Sequence, residues 1–524
     1  MRGSQSLPHF TTASRLSAFV TVALLSTWAG SAFAVDNAVW LDALATIRAS
    51  DLQNHVEVLA GDAMEGRESG TAGGQAAAEY LAEHLRNRGL RPAGEANDYF
   101  QEFGRASQNV LAVIEGSDPQ LKKEFVLLGA HYDHVGYGTR RNSFGPIGQI
   151  HNGADDNASG VSGVLEVLDA IAGMPAPPRR SLIIAFWDGE EMGLLGSRHF
   201  VAHPTVPLGQ IVLAIHLDMI GRLRDERLFI YGSRTAAGLR RFVAENNHEP
   251  QLVLDFNWEL KPNSDHYSFL DPGMPTLLFH TGLTDETHRP TDDVELISAD
   301  GMQQAARLAY SLVYEAATRK DRFAYRAVAR QEYPADQKQL ERPLPPPAPR
   351  LGIRWRPEAS AAGLVVESVD SGSAAARAGI QPGDRLIQFA GQPVSDGERL
   401  RRAVLAAVAP VPATVERPGA AEPLQLQLEL EGSPTRLGIS WREDSAEPGT
   451  VVVTRVIAGS PAADAQLQTG DRIYAVAGQG FTNSEEFSAL ATSLASPLQL
   501  TVERRGHLEH ISLNVPPPLP PRQM

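Results

Sequence analysis

The stretch SLIIAFW at residues 181–187, followed directly by DGEE at 188–191, is the part of the sequence that decides the fold. An uncharged run of strand length that ends in Gly and acidic residues predicts a buried strand. The runs at 125–128, 211–217 and 276–279 predict three more. Segments of helical period alternate with these runs, so residues 36–318 are expected to form an α/β domain. Its sheet is predicted to be doubly wound, mostly parallel and flanked by helices.

Three helices complete this prediction. One covers about residues 74–88, with Gly89 as its end, and another covers about 299–317. The third begins after Ser159 and places apolar residues at helical spacing on one face.

The composition restricts the function. The chain has 524 residues, with 43% hydrophobic and 21% charged residues, which is typical of a soluble multidomain protein. It contains no Cys, so thiol catalysis, disulfide bonds and Cys-ligated metal sites are excluded. The net charge of −15 provides no electrostatic basis for binding nucleic acid.

The N-terminus resembles an export signal. Arg2 and Arg15 precede an apolar stretch that runs from Leu16 to about Trp28, and Ala-Phe-Ala follows at 32–34. This order predicts a secretory signal peptide at 1–34 and a periplasmic or secreted protein with no membrane span after cleavage. An N-terminal membrane anchor is the alternative, but the apolar run is short for a span.

The C-terminal third contains a repeat. Residues 319–349 are charged and end in LPPPAP, which predicts a semi-rigid Pro-rich linker. Beyond it, RLGI at 350–353 recurs at 436–439, and GDR at 383–385 recurs at 470–472. Repeats of this length predict two small domains, at 350–432 and 433–518.

These two units resemble PDZ domains in their LGI loops, their helix-start motifs and their Gly-Asp turns. The second unit departs from the pattern at Gln466, where the family usually has Gly. The resemblance implies a groove between a sheet edge and a helix, in which the C-terminal end of a peptide could add as a strand.

Five segments at predicted strand ends or in loops carry imidazoles or carboxylates: 131–133, 153–160, 188–191, 217–221 and 288–293. Ligands collect at the carboxyl ends of strands in open α/β sheets. Imidazole with carboxylate suits zinc or a similar divalent ion. Three carboxylates and one hydroxide would balance the charge of two such ions.

At these residues the sequence resembles the di-zinc exopeptidases of the aminopeptidase Y and bacterial leucyl aminopeptidase family, over roughly residues 50–318. The EGR-to-GT segment at 65–71 also resembles this family's motif before its first helix. The resemblance implies two zinc ions, with Asp156 bridging them. It assigns His131, Asp156 and Asp218 to one ion, Glu191 and His288 to the other, Glu190 as general base, and Asp133 as the carboxylate that orients His131.

One position departs from this family. A Tyr often precedes the last ligand His and helps to stabilise the oxyanion, whereas this chain has Thr287. Other His residues are interpreted as structural or supporting rather than as ligands: His134, His151, His216, His266 and His280. Asp155, Asn157 and Ser159 could be simple helix caps.

The resulting hypothesis is an exported zinc-dependent aminopeptidase that removes N-terminal residues from peptides. A carboxypeptidase or dipeptidase on the same fold is one alternative, because such relatives share the metal ligands. A binding protein is the other, with the PDZ-like pair as its working part and an inactive peptidase scaffold.

Overall fold

The computed structural model describes residues 37–249, 251–356 and 363–517. The predicted signal peptide at 1–34 lies outside these residues, as does position 518, the predicted end of the last domain. None of the described helices is both long and apolar enough to cross a membrane.

The N-terminal domain is built on one sheet of nine strands. Their order across the sheet is β1-β3-β5-β4-β6-β9-β7-β8, and β2 pairs with β3. The strands are β1 (Arg91–Pro92), β2 (Phe100–Phe103), β3 (Ser107–Ile114), β4 (Phe125–His131), β5 (Ser181–Trp187), β6 (Ile211–Leu217), β7 (Arg227–Tyr231), β8 (Val253–Asn257) and β9 (Thr276–His280).

The centre of this sheet is parallel, and its flanks are mixed. Strands β5, β4, β6 and β9 run parallel to one another, as do β7 and β8. Strands β1, β2 and β3 pair antiparallel, as does β7 with β9. The predicted α/β fold is therefore confirmed, with a mixed rather than mostly parallel sheet. The added antiparallel strands include short and half-buried ones, which lack the continuous apolar run of a central strand.

Helices cover both faces of the sheet. On one face α2, α4 and α7 pack together over the main core, and on the other α5 and the turn at Asp265–Phe269 cover Trp187. The helices are α1 (Asn37–Thr46), α2 (Ala49–Leu59), α3 (Ala72–Asn87), α4 (Gly160–Ala172), α5 (Leu195–Ala202), α6 (Leu239–Glu245) and α7 (Ala299–Thr318). The Thr71 and Ser298 side chains cap α3 and α7 by accepting from backbone N–H groups in the first turn.

Two antiparallel β-rich domains follow. Between them and the sheet, α8 (Pro334–Glu341) lies in the predicted linker. The first domain contains β10 (Ile353–Trp355), β11 (Leu364–Val369), α9 (Ala374–Arg377), β12 (Arg385–Phe389), β13 (Gln392–Pro393), α10 (Gly397–Ala406), β14 (Val411–Glu416) and β15 (Leu424–Leu428). The second contains β16 (Ile439–Glu443), β17 (Val451–Val456), α11 (Pro461–Asp464), β18 (Arg472–Val476), α12 (Ser484–Ser493), β19 (Leu498–Arg504) and β20 (His507–Leu513).

The linker packs against the second β-rich domain. The Arg442 guanidinium donates to the backbone carbonyls of Gln339 and Leu340 at 2.9 and 2.8 Å. Further along, the Leu344 N–H donates to the Thr454 carbonyl at 2.8 Å. Residues 319–349 are therefore more than a spacer, because they join the second domain to the rest of the molecule.

Candidate active site

Strand register brings the first candidate ligands together. Strand β4 ends at His131, which pairs with Trp187 of β5. On its other side Gly129 pairs with His216 of β6, so His131 lies beside Asp218, the residue after β6. The parallel strands thus deliver an imidazole and a carboxylate to one edge of the sheet.

The first group of ligand atoms is compact. His131 Nε2 lies 3.3 Å from Asp218 Oδ1 and 3.5 Å from Asp156 Oδ1. All three side chains are buried. One ligand atom from each lies within 4.8 Å of the other two, so this group could hold a metal ion.

A second group of ligand atoms uses the other oxygen of Asp156. His288 Nε2 lies 3.2 Å from Asp156 Oδ2 and 3.1 Å from Glu191 Oε2. Because its two oxygens face different imidazoles, the Asp156 carboxylate joins the two groups. The structure therefore brings together all five residues that were predicted as ligands.

His134 is a member of this second group that sequence reasoning set aside. Its Nδ1 lies 2.9 Å from Glu191 Oε1 and 3.9 Å from Asp156 Oδ2, and these three residues could hold a metal ion. Burial lowers the pKa of His134 to about 3, which keeps its imidazole neutral. The feature of the sequence that could have indicated its role is its position three residues after His131, in the loop that leaves β4.

Asp133 contacts both the first imidazole and the turn that follows β5. Its carboxylate accepts from the Glu190 N–H at 3.0 Å and the Glu191 N–H at 3.3 Å. The carboxylate lies 3.7 Å from His131 Nδ1, whereas the Asp133 backbone carbonyl lies at 3.1 Å. The Asp133 side chain therefore fixes the backbone of the two neighbouring glutamates, whereas its backbone carbonyl, rather than the predicted carboxylate, lies within hydrogen-bond distance of His131.

The loop that carries Asp156 is held from two sides. The Asp292 carboxylate accepts from the N–H groups of Asp155 and Asp156 at 3.0–3.1 Å. The Asn157 amide oxygen accepts from the Gly160 N–H at 2.9 Å, as a helix cap would, and also from the Met219 N–H at 3.1 Å. The bond from Gly160 agrees with the interpretation of Asn157 as a helix cap. The contacts of Asp292 and Met219 were not predicted, because they join residues far apart in the chain.

A buried cation lies beneath these loops. Arg67 is fully buried, and its guanidinium donates to the carbonyls of Leu59, Tyr132, Asn152 and Gly153 at 2.6–2.9 Å. Burial lowers the pKa of Arg67 to about 10, against the opposing effect of nearby acids such as Asp156 and Asp292. The EGR motif at 65–67 thus ties together the loops that present the candidate ligands.

The clustered carboxylates of the site favour positive charge, as the pKa values of His131, His288 and Glu190 indicate. Burial alone would lower the pKa of His131, but Asp218 and Asp133 outweigh burial and raise it well above its usual value. The pKa of His288 rises to about 11, because Asp156 and Glu191 likewise outweigh burial. Burial, and then the repulsion of Glu191, raises the pKa of Glu190 well above its usual value. Oxygen and imidazole donors arranged around clustered acids fit divalent cations.

Thr287 does not direct its hydroxyl into an open site. The residue is buried, and its Oγ1 accepts from the Thr284 N–H at 3.1 Å within the turn before His288. The hydroxyl therefore serves the local turn, which leaves the position of the family's Tyr without an equivalent donor.

Comparison with known proteins matches this site to a family. Residues 109–313 match the model of peptidase family M28. Residues 365–416 and 425–503 each match a PDZ domain model.

Individual relatives share the N-terminal domain. Aminopeptidase YwaD of Bacillus subtilis is 31% identical over 222 residues, which are 40% of this chain and 45% of the relative. Leupeptin-inactivating enzyme 1 of Streptomyces exfoliatus is 29% identical over 30% of this chain and 31% of its own length. The chain thus spans less than half the length of these two relatives. Among solved structures, the LapA aminopeptidase of Legionella pneumophila has 20% identity and a TM-score of 0.46, covering 57% of this chain and 79% of LapA. The family models thus identify a peptidase family M28 region at residues 109–313, followed by two PDZ domain regions.

Proposed function

We propose that the chain is an exported aminopeptidase that uses two zinc ions to remove N-terminal residues from peptides. The observation that carries the proposal is the Asp156 carboxylate, whose oxygens lie 3.5 Å from His131 Nε2 and 3.2 Å from His288 Nε2. One zinc ion would be held by His131, Asp156 and Asp218, and the other by Asp156, Glu191 and His288. The neutral imidazole of His134 would stay beside Glu191.

Bound zinc ions would supply a water of lowered pKa and a polarised scissile carbonyl. Glu190 takes the proton of that water and delivers it to the leaving amine. Its backbone is fixed by Asp133, whose carboxylate accepts from the Glu190 N–H at 3.0 Å. Glu191, the next residue, turns toward His134 and His288 instead.

The adjacent glutamates provide a matched test. Glu190→Gln is expected to retain zinc and to lose hydrolysis of aminoacyl anilides by about 10²–10⁴-fold, since the general base is removed. Glu191→Gln is expected to lose zinc itself, as measured by metal analysis after dialysis. Near-normal turnover of Glu190→Gln would contradict the assignment of the base. Fewer than two zinc ions per wild-type chain at saturation would contradict the two-ion site.

A carboxypeptidase or dipeptidase would use the same ligands. Dipeptides blocked at the N-terminus or at the C-terminus separate these activities. An aminopeptidase is expected to cleave only the form with a free N-terminus.

Export is proposed from the basic and apolar character of residues 1–34. Mass spectrometry of the protein recovered outside the cytoplasm is expected to find Val35 as its first residue. For the PDZ domains we propose peptide partners that bind by their C-terminal ends.

A further inference from the structure

His280 stands beside a proposed zinc ligand but takes no part in the site described above. Strand β9 ends at this residue, and Leu217 of β6 pairs with Phe279 of β9. The Asp218 N–H continues the pairing by donating to the Phe279 carbonyl at 3.1 Å. His280 and Asp218 are therefore lateral neighbours about 4.8 Å apart, and their side chains leave the same face of the sheet.

The hydrogen bonding of this imidazole defines its tautomer. The Gly282 N–H donates to His280 Nδ1 at 2.7 Å. A ring nitrogen that accepts carries no proton, so the ring is neutral and its proton lies on Nε2. His280 thus presents one N–H donor on its far side.

That donor has no hydrogen-bond partner among the described residues. His280 is 7% exposed, and none of the hydrogen bonds among the described residues involves its Nε2. The nitrogens of His216 and His266 are also unpartnered, but they are sealed from solvent, whereas Nε2 of His280 is not among the sealed atoms. A nearly buried donor without a partner is costly, and an oxygen of a bound ligand would satisfy it.

The order of strands places His280 Nε2 on the side of the metal ligands opposite Glu190, the proposed general base. Glu190 follows β5, while His280 ends β9, and β4 and β6 lie between them. The attacked carbonyl would lie near the ligands at the ends of β4 and β6, with the leaving amine toward Glu190. The side chain of the substrate's N-terminal residue, on the other side of the attacked carbonyl, would then extend toward β9.

We propose that Nε2–H of His280 donates to the side-chain oxygen of the substrate's N-terminal residue, so that the enzyme favours amide side chains such as Asn over apolar side chains of the same shape. An amide fits better than a carboxylate, because the neutral imidazole lies beside the Asp218 carboxylate. This assignment of specificity rests on the proposed aminopeptidase function.

Asparaginyl and leucyl anilides test the assignment, because their side chains have nearly the same shape. The zinc-loaded wild type is expected to have the higher kcat/KM for the asparaginyl anilide. His280→Phe is expected to lower that value at least tenfold and to change the leucyl value by less than about threefold. His280→Gln keeps an N–H donor and is expected to recover most of the preference. All variants should retain the zinc content of the wild type.

His266→Phe is the matched control, because both nitrogens of this neighbouring imidazole are sealed from solvent. It is expected to leave the ratio of the two kcat/KM values within about threefold of wild type. Equal losses on both anilides in His280→Phe, or an unchanged ratio, would overturn the assignment while leaving the aminopeptidase function intact. Failure of the zinc-loaded wild type to cleave any aminoacyl anilide would instead overturn the proposed function itself.

Discussion

Asp156 is the residue on which both groups of ligand atoms depend, and its position is fixed through its backbone. The carboxylate of Asp292 accepts from its N–H at 3.0 Å and from the N–H of Asp155 at 3.1 Å. Burial raises the pKa of Asp292 to about 6, while these two backbone donors oppose that rise. A side chain remote in sequence thus determines where the shared ligand lies.

Asp292→Asn is therefore expected to weaken metal binding. An amide in place of the carboxylate presents an NH₂ group to backbone N–H donors, which displaces Asp156. Loss of a partner that orients a ligand typically costs about 10–100-fold in metal affinity, which a competing chelator would measure. Asp293→Asn is the control, since in the described part of the chain this side chain accepts only from its neighbour Val294. Equal affinities for the two variants would contradict this role of Asp292.

Individual site residues differed in how far the sequence could reveal them. The five predicted ligands lie in short motifs next to strand ends, so residue type and position identified them. Asp292 lies in one of these segments and His134 directly follows another, but their roles depend on three-dimensional contacts. His280 was set aside for the same reason, because only the register between β6 and β9 places it beside Asp218.

At the scale of elements, hydrogen bonds between the end of β6 and the loop before α4 position Asp218 relative to Asp156 in the first ligand group. Asn157 lies at the start of α4, and its side chain donates to the Leu217 carbonyl at 3.0 Å. The same side chain accepts from the N–H groups of Gly160 and Met219. The bonds to Leu217 and Met219 therefore hold the strand end that carries Asp218 against the loop that carries Asp156, and the bond from Gly160 joins this loop to the start of α4.

Asn157→Ala is expected to lower the free energy of unfolding by about 2–4 kcal/mol, because it leaves buried backbone groups without partners. Urea unfolding of the zinc-free protein would measure this loss without a contribution from metal binding. Asn263→Ala, at an exposed position with no left-handed backbone, is the control and should change stability by less than about 0.5 kcal/mol. A stability of Asn157→Ala equal to the control would refute the alignment role.

Elements were predictable where burial is complete. The central strands β5 and β6 have the predicted bounds, and β4 and β9 extend three and one residues beyond them. Both faces of these strands are buried, so nearly every residue in them is apolar, and the sequence of each strand alone shows this. Strands such as β1, β2, β7 and β8 were not predicted, since short or half-buried segments owe their conformation to pairing partners elsewhere.

At the scale of the whole molecule, the second PDZ domain is joined to the peptidase domain by buried charges. Arg234 pairs with Asp444 at 2.7 Å, and Arg240 pairs with Glu503 at 3.0 Å. Glu447 of the same domain accepts from the backbone N–H groups of Arg240 and Arg241. Replacing Glu503 alone by Ala would leave the buried guanidinium of Arg240 without its bidentate partner, which is strongly destabilising.

Glu447 makes this junction sensitive to pH. Burial, and then the nearby Asp444 carboxylate, raises the pKa of Glu447 to about 7 from an ordinary value of 4.5, while Arg240 opposes the rise. The folded protein therefore binds this proton more tightly than the unfolded chain does. The stabilisation is full below about pH 4.5 and is lost as the pH rises through about 7.

Glu447→Gln is expected to remove this part of the pH dependence. Between pH 5 and pH 8 the wild type should lose up to about 3 kcal/mol more stability than Glu447→Gln, as measured by urea unfolding. Glu485→Gln, on the exposed side of α12, is the control and should follow the wild type. Parallel profiles for wild type and Glu447→Gln would contradict the prediction.

The junction also has a consequence for biosynthesis. The N–H of Leu254 in β8 donates to the carbonyl of Arg505. The partner of Arg240, Glu503, is synthesised 263 positions later. The peptidase domain is complete at Thr318, and Glu503 follows that residue by 185 positions. At about 5–20 residues per second, a ribosome needs about 9–37 s to make that stretch. For that time the newly made peptidase domain has an open sheet edge and lacks the Glu503 partner of Arg240, so nascent chains of intermediate length are the form most exposed to aggregation and proteolysis.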